Sequence, residues 1–309
     1  MARRAAGPQT DETGGATHDA SDQPGVLRGV GPVVLELGAH RYDLDVRPLV
    51  MGILNRTPDS FYDKGAYFAL DKTLRRADEL VAAGADILDV GGVKAGPGPE
   101  VAVAEELDRV VPAVEALVAR FDVPVSVDTW NAEVAATCYA AGAVLGNDIS
   151  GFADPRYLDA ASAAGASVVA THVRLAPRVP DPEPAYPRGD VVAAVESFLA
   201  DRLARAIAAG IPASRVVLDP GLDLGKTAAQ SLDLLRASAR FAALGQPLML
   251  SASNKTFLGV ELGLTIDERR DASLAAVSLG IARGCRVLRV HDVAGTRRVV
   301  EAVVAVTRR

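Results

Sequence analysis

Eight short apolar runs in this chain each end in polar residues of ligand-binding types. Asn55 ends the first and is followed by Arg56-Thr57-Pro58-Asp59-Ser60-Phe61. The others end in Asp89, Asp128-Thr129, Asn147-Asp148, Thr171-His172, Asp219-Pro220-Gly221, Ser253-Asn254-Lys255 and Arg289-Val290-His291-Asp292. Asp128, Asn147 and Asp219 are short acceptors and donors. Buried side by side, they can pair with the edge of a flat nitrogen heterocycle carrying N–H groups. Lys255, Arg289 and His291 come from the last two runs and together can neutralise a diphosphate. Asn55 offers an oxygen suited to Mg²⁺, which prefers hard ligands. Singly, each tip has a plainer explanation: a turn at Asp219-Pro-Gly, a helix cap at Asp128-Thr129, a core imidazole at His291. Eight tips at one mouth form a binding site.

The elements that position these tips follow from the pattern of the runs. They are 48–54, 86–90, 124–128, 143–148, 166–172, 215–220, 247–253 and 286–293. Alanine-rich stretches of helical period separate them, over 71–83, 101–120, 131–141, 155–164, 190–210, 228–244, 270–283 and 295–307. Strands this uniformly apolar are buried on both faces, as parallel strands are. Eight uninterrupted strand–helix units predict a closed α/β barrel of the TIM type, (β/α)₈, whose active end is where the strands finish. A doubly wound open sheet would carry a glycine-rich fingerprint after its first strand, and none is present. Residues 32–44 predict a hairpin around Gly38-Ala39 plugging the other end, and residues 1–25 a disordered tail, leaving 26–309 as the barrel domain. His18 and His40 are read as tail and hairpin residues without function.

The net charge of −6 lacks the basic footprint of a nucleic-acid binder. No run approaches the roughly 20 apolar residues of a membrane span, and the charged start lacks the apolar core of a secretory signal. Cys138 and Cys285, far apart in apolar segments, read as buried thiols of a cytoplasmic protein. Lys226 in Gly221-Leu-Asp-Leu-Gly-Lys-Thr227 lacks the glycine spacing of a phosphate loop.

These residues in this order resemble the dihydropteroate synthase family. Met51-Gly-Ile-Leu-Asn-Arg-Thr-Pro-Asp-Ser-Phe61 is similar to its first signature, and Asp89-Val-Gly-Gly92, Ser126-Val-Asp-Thr129, Asn147-Asp-Ile-Ser-Gly151 and Asp219-Pro-Gly221 to further ones. So are Gly225-Lys-Thr227, Ser253-Asn-Lys255 and Arg289-Val-His-Asp-Val293, and the likeness spans about 33–306. The resemblance implies a homodimeric TIM barrel in which the amine of para-aminobenzoate displaces diphosphate from 6-hydroxymethyl-7,8-dihydropterin diphosphate. It places the pterin on Asp128, Asn147, Asp219 and Lys255. The diphosphate falls to Asn55 with Mg²⁺, Arg289 and His291; Lys255, Arg289 and His291 become catalytic, and the first two loops receive the aryl amine.

Four departures stand out. The family's second loop reads Gly-Gly-Glu-Ser-Thr-Arg-Pro-Gly, whereas this chain has Gly91-Gly-Val-Lys-Ala-Gly-Pro-Gly98, so Ala95 and Gly96 replace the usual Thr and Arg, between Lys94 and the retained Pro97. Asn254 stands where the family has arginine, Asp223-Leu224 where it has Gly-Phe, and Val173 where it has methionine. Together with Arg56-Thr57-Pro58 in the first loop, this looks like a divergent actinobacterial-type branch. Three readings follow: a working synthase in which Lys94 and Arg56 compensate, a paralogue that binds pterin with little or no turnover, and a corrinoid-linked methyl transfer. The last is disfavoured because Lys255, Arg289 and His291 remain.

Overall fold

The computed structural model describes residues 32–56, 65–96 and 98–307. The predicted tail and the loop residues Thr57, Pro58 and Pro97 lie outside the described residues. Strands β1 (Val34–Leu37) and β2 (His40–Asp43) form the hairpin, turning at Gly38 with φ 58°, a value that favours glycine. Strands β3 (Leu49–Asn55), β4 (Ile87–Gly91), β5 (Val125–Asp128), β6 (Leu145–Asp148), β7 (Ser167–Thr171), β8 (Val216–Asp219), β9 (Leu248–Leu250) and β10 (Cys285–Val290) then follow. They close into a parallel barrel in that order, with β10 pairing back onto β3 through Val287↔Leu49 and Val290↔Gly52.

Ten helices among the described residues clothe the barrel. They are α1 (Gly65–Ala82), α2 (Val103–Arg120), α3 (Ala132–Ala140), α4 (Arg156–Ala164), α5 (Val191–Ala208), α6 (Ala228–Arg236), α7 (Ser238–Ala242), α8 (Thr256–Leu262), α9 (Arg270–Ala282) and α10 (Val293–Thr307). The expected single helix over 228–244 is broken, because the buried Ser238 hydroxyl donates to Leu235 O at 2.8 Å and competes with the helical ladder. Helix α8 has no counterpart in the periodicity; its cap comes from a distant residue.

One core fills the space between sheet and helices. The other lies inside the barrel, where Leu35, Leu37 and Leu44 of the hairpin region meet Leu49, Met51, Ile87, Val217 and Val287. The hairpin thus seals one end of the barrel with apolar side chains, and the polar strand tips occupy the other. Cys138 and Cys285 are free and buried.

Candidate active site

Asp89 organises the mouth. Fully buried on β4, it accepts from Ser126 Oγ at 2.6 Å, Asn147 Nδ2 at 3.2 Å and Arg289 Nε at 2.7 Å. Arg289 also donates through Nη2 to Asp128 Oδ2 at 2.6 Å. One guanidinium from β10 therefore crosses the barrel and ties β4 to β5. The register explains how these groups meet: Asp89 lies opposite Ser126, and Asp128 opposite Asn147. Burial pushes the Asp128 carboxyl up to about 7 against the pull of Arg289.

Across the mouth, Asp219 Oδ1 accepts from Gly221 N at 2.8 Å. Burial raises its pKa, while Lys255 pulls it down. Burial likewise lowers Lys255, and Asp219 holds it up. The Lys255 ammonium donates to Leu222 O at 2.5 Å. Ser253 Oγ lies 3.0 Å from His291 Nδ1, and desolvation followed by Arg289 lowers the histidine pKa, favouring its neutral form. Asn55, at the exposed tip of β3, pairs in register with Gly91 at the start of the second loop.

Asp128, Asn147, Arg289 and, through charge, Asp219 and Lys255 thus form one constellation. Serine 253 and His291 stand beside it, on a cavity of 460 Å³ that Arg76 and Arg270 also line. His172 faces inward differently: its ring meets Phe198 edge-on at 4.7 Å, and burial lowers it to about 3, so it stays neutral.

Two departures acquire a physical explanation. Asp223 does not leave a loose carboxylate beside Asp219. It accepts from Thr256 N, and from Phe257 N at 3.2 Å, and so caps α8. It does this at φ 64°, a conformation that Asp and Asn tolerate better than most residues. Asn254 occupies the same region at φ 58°, its carbonyl accepting from Arg269 Nη1 at 3.1 Å. Removing the Asp223 cap with Asp223→Ala is expected to cost about 1 kcal/mol in urea denaturation, with Asp223→Asn losing less. Equal stability of Asp223→Ala and wild type would show the cap to be idle.

Lys226, set aside as a phosphate-loop residue, is a brace: its ammonium donates to His172 O at 3.2 Å, Gly221 O at 2.7 Å and Leu224 O at 3.0 Å. Arg56, expected to compensate in the first loop, is buried, with its guanidinium on Thr73 of α1 at 3.3 Å, because β3 delivers it under that helix. It offers no exposed cation to the second loop. Lys94 and Gly96 are exposed, and Ala95 is half-buried. Sequence reasoning placed Asp89 among the tips but gave it no role, and it missed Asp223 as a cap; their partners are distant in sequence.

Residues 51–291 match the family model described as pterin binding enzyme. A Mycobacterium tuberculosis protein described as inactive dihydropteroate synthase 2 is 45% identical over 84% of this chain and 83% of its own length. Escherichia coli dihydropteroate synthase is 39% identical over 88% of this chain and 97% of its own. The solved Xanthomonas albilineans dihydropteroate synthase with 4-aminobenzoic acid superposes with a TM-score of 0.82 and 38% identity, covering 90% of this chain and 99% of that one.

Proposed function

Because the chain belongs to the pterin-binding enzyme family and is built like dihydropteroate synthase, we propose that it binds 6-hydroxymethyl-7,8-dihydropterin diphosphate at the strand tips and condenses it with para-aminobenzoate at a strongly reduced rate. The observation that carries this reading is the intact constellation of Asp128, Asn147, Asp219, Lys255 and Arg289 beside a second loop without Thr or Arg. Acceptors on Asp128 and Asp219 suit the N–H edge of a pterin. Hydrogen bonds to ring N–H groups strengthen as positive charge develops there, so they favour departure of the diphosphate. Arg289 donates to its two acids through Nε and Nη2, so neither bond uses Nη1, the donor that would serve a ligand anion.

Mg²⁺ fits the same reading. No group of three or more His, Cys, Asp or Glu among the described residues is arranged to hold a metal. A single exposed oxygen at Asn55 suits an ion that keeps several waters and takes most of its charge compensation from phosphate oxygens. Bound there, it would offset diphosphate charge. A homodimeric assembly and a cytoplasmic location belong to this proposal too; among the described residues no helix is long and apolar enough to cross a membrane.

A second reading, a paralogue that binds the pterin without turnover, is favoured by the second loop and by the 45% identity to a relative described as inactive. Calorimetry with the pterin diphosphate and Mg²⁺, followed by pyrophosphate release on adding para-aminobenzoate, separates the two. Release supports condensation; binding without release establishes the paralogue. Absence of binding defeats both. Asp219→Ala is expected to weaken pterin binding by at least roughly 10²-fold, since a charge-assisted bond and its buried partner groups are both lost. Unchanged affinity would place the pterin elsewhere. If Asp128 must shed its proton to accept from the pterin, affinity rises with pH by about tenfold per unit below about 7 and levels off above it.

A further inference from the structure

A cavity of 220 Å³ opens between the second loop at Ala95 and Gly96, Ile149 after β6, the segment Val173 to Asp181 after β7, and Asp223 to Lys226 after β8. All of its walls follow the C-terminal ends of barrel strands, so it belongs to the same mouth. Ile149, Val173, Leu175 and Pro177 give it an apolar side, and Arg178, Asp181, Asp223 and Lys226 a polar one. A space of about 150 Å³ already holds a benzene ring, so the volume here is enough for one aromatic ring.

The cations around this cavity are not equivalent. Lys226 is committed to three backbone carbonyls, and Arg174 donates through Nε to the almost fully buried Asp181 at 2.6 Å. Arg178, on the cavity wall, takes no hydrogen bond or ion pair among the described residues, and its Nε is buried without a partner. A guanidinium has five N–H donors and no acceptor, so in this place it carries the donors that an anion would need. Its backbone sits at φ 67°, an unfavourable conformation for arginine and of the kind that gathers at functional sites.

The second loop is shaped to admit it. A Cβ at Gly98 would lie 2.5 Å from Arg178 Nη2, whereas a Cβ at Gly96 would meet nothing within 4 Å. Gly98 lacks the positive φ that would itself call for glycine, so what the absent side chain provides is room for the guanidinium against the loop backbone.

We propose that Arg178 binds the carboxylate of a flat aryl ligand whose ring occupies this cavity, and that Arg178 thereby reads the second substrate. This rests on the function proposed above and names its specificity residue. The planar fork of arginine takes a carboxylate through two parallel N–H···O bonds, while Ile149, Val173, Leu175 and Pro177 offer the ring an apolar side.

Calorimetry on the full chain tests this with three probes: para-aminobenzoate, aniline, which lacks the carboxylate, and pyrophosphate. Arg178→Met is expected to weaken para-aminobenzoate by about tenfold or more and to leave aniline and pyrophosphate within about twofold; Arg178→Lys should recover part of the loss. Gly98→Ala keeps the charge but displaces the guanidinium, so it should weaken para-aminobenzoate in the same direction. Para-aminobenzoate affinity unchanged by Arg178→Met, or absent in the wild type, overturns the assignment. So does a loss confined to pyrophosphate, which would give Arg178 to the leaving group. Binding of the pterin diphosphate, measured separately on each variant, reports whether the underlying functional reading stands when this inference falls.

Discussion

Replacing Arg289 by methionine should destabilise the barrel by about 3–5 kcal/mol in urea denaturation, the usual cost of removing one partner from a buried ion pair. The guanidinium is 17% exposed, and the two carboxylates it serves, Asp89 and Asp128, are 0% and 14% exposed. Methionine fills much of the volume but supplies no counter-charge, so the acids remain in a low-dielectric space. A second substitution, Asp89→Asn, should restore part of the loss, because it removes one of the stranded charges rather than adding a contact.

The pH dependence has a definite sign. Burial already holds Asp128 up at about 7, above its ordinary value, so its contribution to stability is full below the unfolded pKa and is lost as pH rises through the folded one. Without Arg289 the folded pKa moves higher still. Below about 7 the proton is present in both folded forms, and Asp128 adds no difference between them. Above it only the variant keeps the proton, so the deficit of Arg289→Met against wild type should widen with pH. A deficit that shrinks as pH rises, or a loss under about 1 kcal/mol, would show that the bridges seen here contribute little.

The paired change Ala95→Thr and Gly96→Arg should raise pyrophosphate release by roughly 10²–10⁴-fold, if the second loop limits turnover. Each charge-assisted hydrogen bond restored at the departing diphosphate or the aryl carboxylate contributes on the order of 1.5–3 kcal/mol, and 1.36 kcal/mol is a tenfold rate change. Steric objections are absent at position 96, which is exposed and has open space where a side chain would begin. Pterin affinity should scarcely change, since Asp128, Asn147 and Asp219 belong to β5, β6 and β8 rather than to this loop. A rise in kcat with unaltered pterin binding supports the loop as the deficit. No rise, with the pterin bound as before, would locate the deficit elsewhere in the mouth.

The barrel was legible because parallel strands buried on both faces give continuous apolar runs, and eight such runs alternate here with helical stretches. Asp128, Asn147 and Asp219 were legible because a strand otherwise made of Val, Leu and Ile has no structural need for them. The network that joins them was not. Asp89 meets partners 37, 58 and 200 positions away, separations at which local pattern carries no signal. The same holds for α8, whose cap lies at Asp223, 33 residues before Thr256. From its place in the first-loop motif Arg56 reads as a compensating residue; its burial beside Thr73 of α1 is set by tertiary packing, which the motif does not carry.

Closure of the ring between β10 and β3 completes the electrostatics of the mouth. Arg289 arrives 200 residues after Asp89 and 161 after Asp128, so neither acid acquires its counter-ion until the last strand docks. Without β10 in place both carboxylates would lie in the wall without that counter-ion, and a buried unpaired charge is costly. Closure of the barrel and completion of the ligand-reading face therefore depend on the same strand.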